Sequence, residues 1–540
     1  MRTHRPAVEG TRNAISSTHY LASMGGMRIL EEGGNAADAG VAAGICINMV
    51  ETGFTQFGGV APIIYCPASG GPVETISGLG RWPRLASIEY FRDHAGGDMP
   101  GGILRSVTPA SPDAWITALA RFGTMTFEQV VQPALELVER WPERYPGQKD
   151  MVTTFNRLIE AESRAGGDRH RGLRAARDLV YKGEIAREIA AFSEREGGLL
   201  RAEDLASFSV RVERPEHLHY RGHDVYTCGP WCQGPSLLMA LNTLRSFDLE
   251  RMGHNSADYL HTLLEAVKLT FSDRHHYIGD PDFVQVPMDG LLEEAYGQER
   301  ARCIDPALAA PDMPPAGDPW PHHSEPREAG SNGSVISDKA YASVWERDTA
   351  YVCVVDGEGN AFSATPSDPI DWSPVIPGLG FSISARGSQS WLDHDHPSAL
   401  APGKRPRLTP NPALTLKDGK PWMPFGCPGG DAQVQGMLQV FLNVVGFGMD
   451  PQQAIESPRV VSHSFPNSFW PHHSRPGEAV AETRIDQAVR QDLSDRGHKV
   501  IEDGEWSGGM SRMCAIVIDP VTGLRTAGAD PRGHSYAIGW

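Results

Sequence analysis

Residues 348–365, DTAYVCVVDGEGNAFSAT, constrain this chain more than any other stretch. Residues 351–355 form a β-rich apolar run, 356–360 a Gly-containing turn, and 361–365 return, which together spell a central β-hairpin. At its leading edge Thr349 follows the acidic Asp348. If the Asp348–Thr349 bond were cut, Thr349 would carry a free α-amine beside its own hydroxyl. That is a nucleophile with its general base built into one residue.

The rest of the chain sets bounds on what surrounds this hairpin. With 540 residues, 40% hydrophobic and 21% charged, the sequence has material for one large layered unit or two domains. A net charge of −18 excludes a phosphate backbone as partner, since nucleic acid requires clustered Lys and Arg. Eight scattered cysteines do not make a disulfide framework, and Cys46, Cys353 and Cys514 sit in apolar runs as small core residues. Cys228 and Cys232 lack a second pair, so no zinc site is expected. The first 23 residues have no apolar segment after their basic residues, and no run is long enough to span a bilayer, so a cytoplasmic protein is expected.

Taken in order, residues 14–50 hold two helical patterns separated by Gly33-Gly34, the second Ala-rich and suited to tight packing. Gly58-Gly59 leads into a strand at 60–65, and 69–82 continue as a hairpin. Residues 126–140, 149–200 (broken at Gly166-Gly167) and 256–275 are helical by apolar spacing. The histidines at 275–276, 394, 396 and 472–473 lack a third ligand at metal spacing, so no metal or other cofactor is expected. Arg81, Arg84 and Arg105 are candidates to face an acidic substrate, with solvated surface as the plainer fate. Residues 305–345 are Pro- and Gly-rich and read as a long mobile segment, which a scissile junction just downstream would explain. Farther on, 422–425 form a short strand that Pro424 should confine to an edge or bulge. It runs into Gly429-Gly430-Asp431 and a helix at 432–445. Paired glycines between strand and helix present backbone N–H groups suited to an oxyanion, with an ordinary strand-to-helix turn as the equally open reading.

Six collinear segments together resemble the γ-glutamyltranspeptidase family of N-terminal-nucleophile hydrolases. They are LEEGGNAADAGVAAG, FGTMTFEQVVQPALELVE, LLEAVKLTFSDRHHYIGDP, DTAYVCVVDGEGNAFSAT, LAPGKRPRLTPNPALTLKDGKPWMPFGCPGGD and LQVFLNVVGFGMDPQQAIESPR. The resemblance implies an α/β (α+β) fold, a four-layer αββα sandwich of two packed, mainly antiparallel sheets. It implies an inactive precursor that cuts itself between Asp348 and Thr349 into a large subunit, 1–348, and a small one, 349–540, interwoven as one domain. Carried onto this sequence, Thr349 is the nucleophile, Ser367 the hydroxyl that supports it, and Gly429 and Gly430 the oxyanion hole. The partners implied are a small-molecule substrate and the chain's own two cleavage products as a heterodimer, with a dimer of these left open.

The departures bear on substrate. Where the family places a carboxylate-clamping Arg on the large subunit, this chain aligns Ile88; its substrate-binding Asn becomes Pro369. The pocket Gln becomes Arg386, the Asp that pairs with the α-amine becomes Gln389 (or Ser388), and one of two serines becomes Leu408, with Thr409 keeping a hydroxyl. Gln389, Thr409 and Asp431 remain as substrate-binding candidates beside Arg386. Losing an acid and gaining Arg386 turns a zwitterion-reading pocket into one that favours an anion. The expectation is a divergent amidohydrolase of small carboxylate amides, similar to the family's cytoplasmic oxamate amidohydrolases through Arg386-Gly387-Ser388. Hydrolysis or transfer of γ-glutamyl groups is the alternative. A non-catalytic binding protein is the third reading, favoured by Ala350 where a second Thr or Ser is common.

Overall fold

The computed structural model describes residues 3–327 and 348–540. Two sheets of seven strands each lie at its centre, and every pairing within them is antiparallel. In spatial order the first runs Val8–Gly10, Arg525–Ala529, Cys514–Ile518, Lys420–Gly426, Ala413–Lys417, His223–Thr227, Glu216–Tyr220. The second runs Tyr536–Gly539, Ala14–Ser17, Val352–Val355, Ala361–Ala364, Ile63–Cys66, Glu74–Ile76, Val212–Glu213. Both sheets therefore mix strands from before and after residue 348.

The two-residue period of the hairpin sorts its side chains between cores. Val352 and Val354 point to a helical layer, packing in one cluster with Ala39, Ala43 and Trp115. Tyr351, Cys353 and Val355 point the other way and meet Leu414, Cys514 and Ile516 of the first sheet. Each such fully buried aliphatic side chain contributes roughly 1.5–3 kcal/mol. Helices Ala36–Val50 and Phe127–Arg140 cover the second sheet; Pro235–Leu244, Ala257–Tyr277 and Ala432–Val445 cover the first. The order is helix, sheet, sheet, helix, the expected four-layer sandwich.

The small residues of Ala36–Val50 serve this stacking. Asn35 caps the helix by accepting from the N–H groups of Ala37 and Asp38. A Cβ at Gly40 would stand 2.2 Å from the Phe362 ring, so only glycine lets helix and hairpin touch there. No described helix is long and apolar enough to cross a membrane.

Several boundaries differ from the sequence reading. Residues 14–17 form a buried strand, not part of a helix; Ser16 and Ser17 satisfy their hydroxyls on the Gly528 and His19 carbonyls. The expected strand at 60–65 is Ile63–Cys66, and only Glu74–Ile76 returns against it. Pro424 lies in an interior strand, not an edge, and that strand carries the other expected feature, a bulge at Trp422. Its neighbour Cys514–Ile518 pairs only from Phe425 onward, so the missing N–H costs no hydrogen bond on that side. Of the expected mobile segment, 328–347 lies outside the described residues. The part before it is anchored: Ala309 donates to the Arg496 carbonyl at 2.8 Å and Lys268 donates to the Ala310 carbonyl at 2.7 Å.

Candidate active site

Thr349 stands just ahead of the strand Val352–Val355, at the point where the sheet ladder ends. Its N–H donates to the Phe54 carbonyl at 2.8 Å, and the next N–H, of Ala350, donates to Pro366 at 2.9 Å. These contacts hold Thr349 at φ +84°, a region that costs a β-branched residue roughly 1–3 kcal/mol. The torsion φ is defined through the preceding carbonyl carbon. Cutting the Asp348–Thr349 bond removes that atom, so the strain at Thr349 disappears with the bond.

The side chains around this bond form one buried network. Thr349 Oγ lies 2.6 Å from Ser367 Oγ. Ser367 Oγ donates its proton to Asp348 Oδ2 at 3.3 Å and accepts from Arg386 Nη2. Either oxygen can donate in the Thr349–Ser367 bond; when Thr349 donates, the serine proton is left for Asp348. A proton leaving Thr349 thus has a path through Ser367 toward the Asp348 carboxylate. Arg386 Nη2 also donates to Asp348 Oδ2 at 2.6 Å, and the whole guanidinium is buried between Trp372 and Phe469, 5.3 and 5.5 Å from their ring centres. Its Nε lies 4.0 Å from Asp368.

Gly429 and Gly430 follow at the end of the strand Lys420–Gly426. Gly429, at φ +127°, takes a conformation that L side chains rarely adopt, and Gly430, at +54°, lies in the left-handed region that favours glycine. Among the described residues neither N–H has a hydrogen-bond partner, and the helix Ala432–Val445 starts directly behind them. Both glycines line a cleft of about 690 Å³ together with Phe54, Asp348, Asp431 and Arg512. Asp348 is thus the member of the buried network that lines the cleft, while Thr349, Ser367 and Arg386 do not.

The remaining expected residues sit one step back. Gln389 donates to Thr409 Oγ at 2.8 Å, and Gln233 bridges the Thr409 and Gly430 carbonyls at 2.8 and 2.9 Å, so the pair buttresses the glycine turn. Asp431 is held by Arg274 at 2.5 Å and by the Ser468 N–H and hydroxyl. Burial pushes its carboxyl up, but Arg274 and Ser468 outweigh this and keep it below the usual range.

The γ-glutamyltranspeptidase family model matches residues 22–162 and 170–540. The chain belongs to that family. It is 29% identical to the Glutathione hydrolase-like YwrD proenzyme of Bacillus subtilis (strain 168), over 99% of both chains. Among solved structures it is similar to LmbA2991HD, at 33% identity and TM-score 0.90 with both chains fully covered. It is also similar to the cephalosporin acylase from Bacillus halodurans, at 26% identity and TM-score 0.81, covering all of this chain and 98% of the other. Members of the family are N-terminal-nucleophile amidohydrolases that process themselves into two chains and act on small substrates. The protein is therefore an amidohydrolase of this type.

Within this family frame, several neighbours of Thr349 were not found by reading the sequence. Arg512 donates to the Thr349 carbonyl at 3.4 Å, pairs with buried Glu51 at 3.3 Å and lies over the Phe54 ring. Asp368, at φ +98°, accepts from Ser384 Oγ and the Ala385 N–H. Glu51 and Arg512 are joined only by the fold, so no local pattern marks them. Conversely, Ile88 packs with Trp82 and Phe91 away from the cleft, Arg84 pairs with Asp204, and Arg105 donates to the Met99 carbonyl. Of the histidines, 396 and 472 stack on the two faces of Trp391, at 3.9 and 3.7 Å. A separate group, His261, Glu265 and His498, has metal-ligand spacing, but Lys268 Nζ already lies 2.7 Å from Glu265 and supplies its cation.

Gly59 is a second support for Ser367. The bridge from Val60 holds Ser367 in place, and a Cβ at Gly59 would lie 2.3 Å from the Ser367 carbonyl oxygen. Gly59→Ala is therefore expected to displace Ser367 and slow the appearance of two chains at least tenfold, read on a denaturing gel. Cleavage at the normal rate would remove Gly59 from this role.

Asp368 gives a pH signature. Burial pushes its carboxyl up to about 6, against the opposing pull of Arg386 and Ser384. The folded state then holds a proton that the unfolded chain releases near pH 4. On this group's account stability falls as pH rises from about 4 to about 6 and is level above that. Asp368→Asn should lose that part of the slope, a difference of about 2 kcal/mol between pH 4.5 and 7 by urea unfolding. Parallel pH profiles for the two proteins would contradict it.

Proposed function

We propose that the protein is an autoprocessed N-terminal-threonine amidohydrolase of small, carboxylate-bearing amides. It is cut between Asp348 and Thr349 into a large subunit, 1–348, and a small one, 349–540, which stay together. In maturation Thr349 Oγ attacks the Asp348 carbonyl carbon; the C–O bond forms, the C–N bond breaks, and the departing nitrogen takes a proton to become the α-amine. Water then hydrolyses the ester, leaving a carboxylate at Asp348 and returning a proton to Oγ. In turnover the α-amine, still within reach of the Phe54 carbonyl, accepts the Oγ proton as Oγ attacks the substrate amide. The N–H groups of Gly429 and Gly430 carry the oxyanion, the proton passes to the leaving amine, and water or an acceptor amine takes the acyl group.

What carries this reading is the buried network of Thr349, Ser367, Asp348 and Arg386 about one strained peptide bond. Arg386 supports an anionic substrate, being a buried cation whose carboxylate partner is the residue that cleavage would release. The eight cysteines, all unpaired and seven of them buried, suit a reducing cytoplasm.

The test is the denatured mass of the purified protein with N-terminal sequencing of any smaller piece. Two chains are expected, the smaller beginning Thr-Ala-Tyr-Val; one intact chain after prolonged incubation would sink the assignment. A second reading, hydrolysis of γ-glutamyl amides, is favoured by the name of the Bacillus subtilis relative. It needs a carboxylate for the substrate ammonium, and both Asp431 oxygens are already engaged. A γ-glutamyl anilide turned over faster than amine-free carboxylate anilides would favour it instead.

A further inference from the structure

Maturation and turnover place an acyl group on the same atom, Thr349 Oγ. In maturation that acyl group is the one from Asp348, and its side-chain carboxylate is the group that Arg386 holds at 2.6 Å. The uncut chain thus displays an acyl donor with its anion already seated. The aspartate carboxylate is joined to the reacting carbonyl carbon through Cα and Cβ, two intervening carbons.

The seat is only partly used. Asp348 engages Arg386 through Oδ2 and Nη2 alone; Asp348 Oδ1 and Arg386 Nε and Nη1 are buried and make no hydrogen bond. The guanidinium is fully buried, so these unpaired donors face the interior beside the scissile bond. A carboxylate freed from the constraint of a polypeptide can turn to meet the guanidinium at two points, the stronger arrangement. Asp348 lines the open cleft, whereas Thr349 and Arg386, which it touches, are buried and do not. Once detached from Thr349, Asp348 could withdraw as the free end of the large subunit, leaving beside Thr349 Oγ and Arg386 the place its own acyl group had filled.

From this we infer that the mature site selects four-carbon acyl groups: succinyl-type monoamides, with a carboxylate two carbons from the scissile carbonyl, the acid on Arg386 and the amine leaving toward the cleft. Asp348 is the built-in stand-in for that substrate, and its side chain shuts the anion seat until the cut is made. A γ-glutamyl group carries its carboxylate three carbons from the carbonyl, and an oxamyl group carries it directly on the carbonyl, so neither matches the distance fixed by Asp348. The reaction balances as simple hydrolysis: the amide and water give the dicarboxylate and a free amine, with no oxidant or cofactor.

This inference rests on the proposed anionic-amide function, and one substrate series separates the two. The wild-type protein, after maturation, is assayed on the mono-p-nitroanilides of oxalic, malonic, succinic and glutaric acids and on butyryl p-nitroanilide, the uncharged match in length to the succinyl compound. The expected result is kcat/KM for succinyl at least tenfold above each other member. In Arg386→Lys, assayed per cleaved site, the preference over butyryl should persist in weakened form while the succinyl-to-glutaryl ratio falls. A maximum at oxalyl, malonyl or glutaryl overturns the four-carbon inference and leaves the anionic-amide function standing. Equal rates for succinyl and butyryl, or no hydrolysis of any member by cleaved protein, overturn both. Because the series is read on wild type, a variant that fails to mature does not shield the inference.

Discussion

Thr349→Ala is expected to leave one chain of 540 residues and to abolish amide hydrolysis. The two losses have the same origin. Among the described residues Thr349 Oγ is the hydroxyl that meets Ser367, and it belongs to the residue whose nitrogen the proposed cut would release. Alanine keeps the backbone and the Phe54 hydrogen bond but removes the attacking atom. Removal of a covalent nucleophile costs roughly 10⁴-fold or more in turnover. Mass spectrometry of the denatured protein reads the first loss and release of p-nitroaniline the second. Normal splitting of the variant would disprove the assignment of Thr349. Thr349→Ser should restore both functions in part, because it returns the hydroxyl without the β-branch that is strained at positive φ.

Arg386→Gln has the second largest expected effect, and it divides between two observables. In the uncut chain Arg386 pairs with Asp348 and donates to Ser367, so its loss frees the carboxylate and loosens the relay that holds Thr349. Cleavage should slow. In the fraction that does mature, KM for a carboxylate-bearing anilide should rise at least tenfold, since a buried charged hydrogen bond is worth about 1.5–3 kcal/mol. The kcat per cleaved site should change less, because Arg386 binds the anion and not the scissile carbonyl. An unchanged KM would place the substrate carboxylate elsewhere. Glutamine removes the charge and, being two atoms shorter, also withdraws the donor that reaches Asp348 and Ser367.

How much of this was visible in the amino acids depends on how locally each feature is determined. The hairpin was legible because its strands alternate about a turn that the Asp356 side chain ties together, accepting from the N–H groups of Glu358, Gly359 and Asn360. The helices Ala36–Val50 and Ala257–Tyr277 were legible from their caps and spacing. The strand Ala14–Ser17 was not, since two of its four residues are serines whose hydroxyls find partners only in the folded state. Pro424 pointed to an edge or a bulge, and the strand is interior with a bulge at Trp422, while the neighbour on the other side stops short of the proline. At the site, Thr349, Ser367 and the Gly429-Gly430 turn are candidates that resemblance to a family points to. The engagement of Arg386 by Asp348 was not legible, because those residues are 38 positions apart and meet only when the strands close. The same holds for Arg512, which reaches Thr349 from 163 positions away.

The mixed parentage of the two sheets has a thermodynamic consequence. The strand Val352–Val355 lies between Ala14–Ser17 and Ala361–Ala364, and each seven-stranded sheet contains strands from both sides of residue 348. Once the chain is cut, the folded state is one particle but the unfolded state is two. Unfolding then gains the freedom of a second molecule, and the melting temperature should rise with protein concentration by mass action. The uncut Thr349→Ala chain should melt at a temperature independent of concentration. The proposed break at Asp348–Thr349 would thus convert folding stability from a property of a single chain into one that depends on how much protein is present, and dilution would become a stress that only the mature form feels.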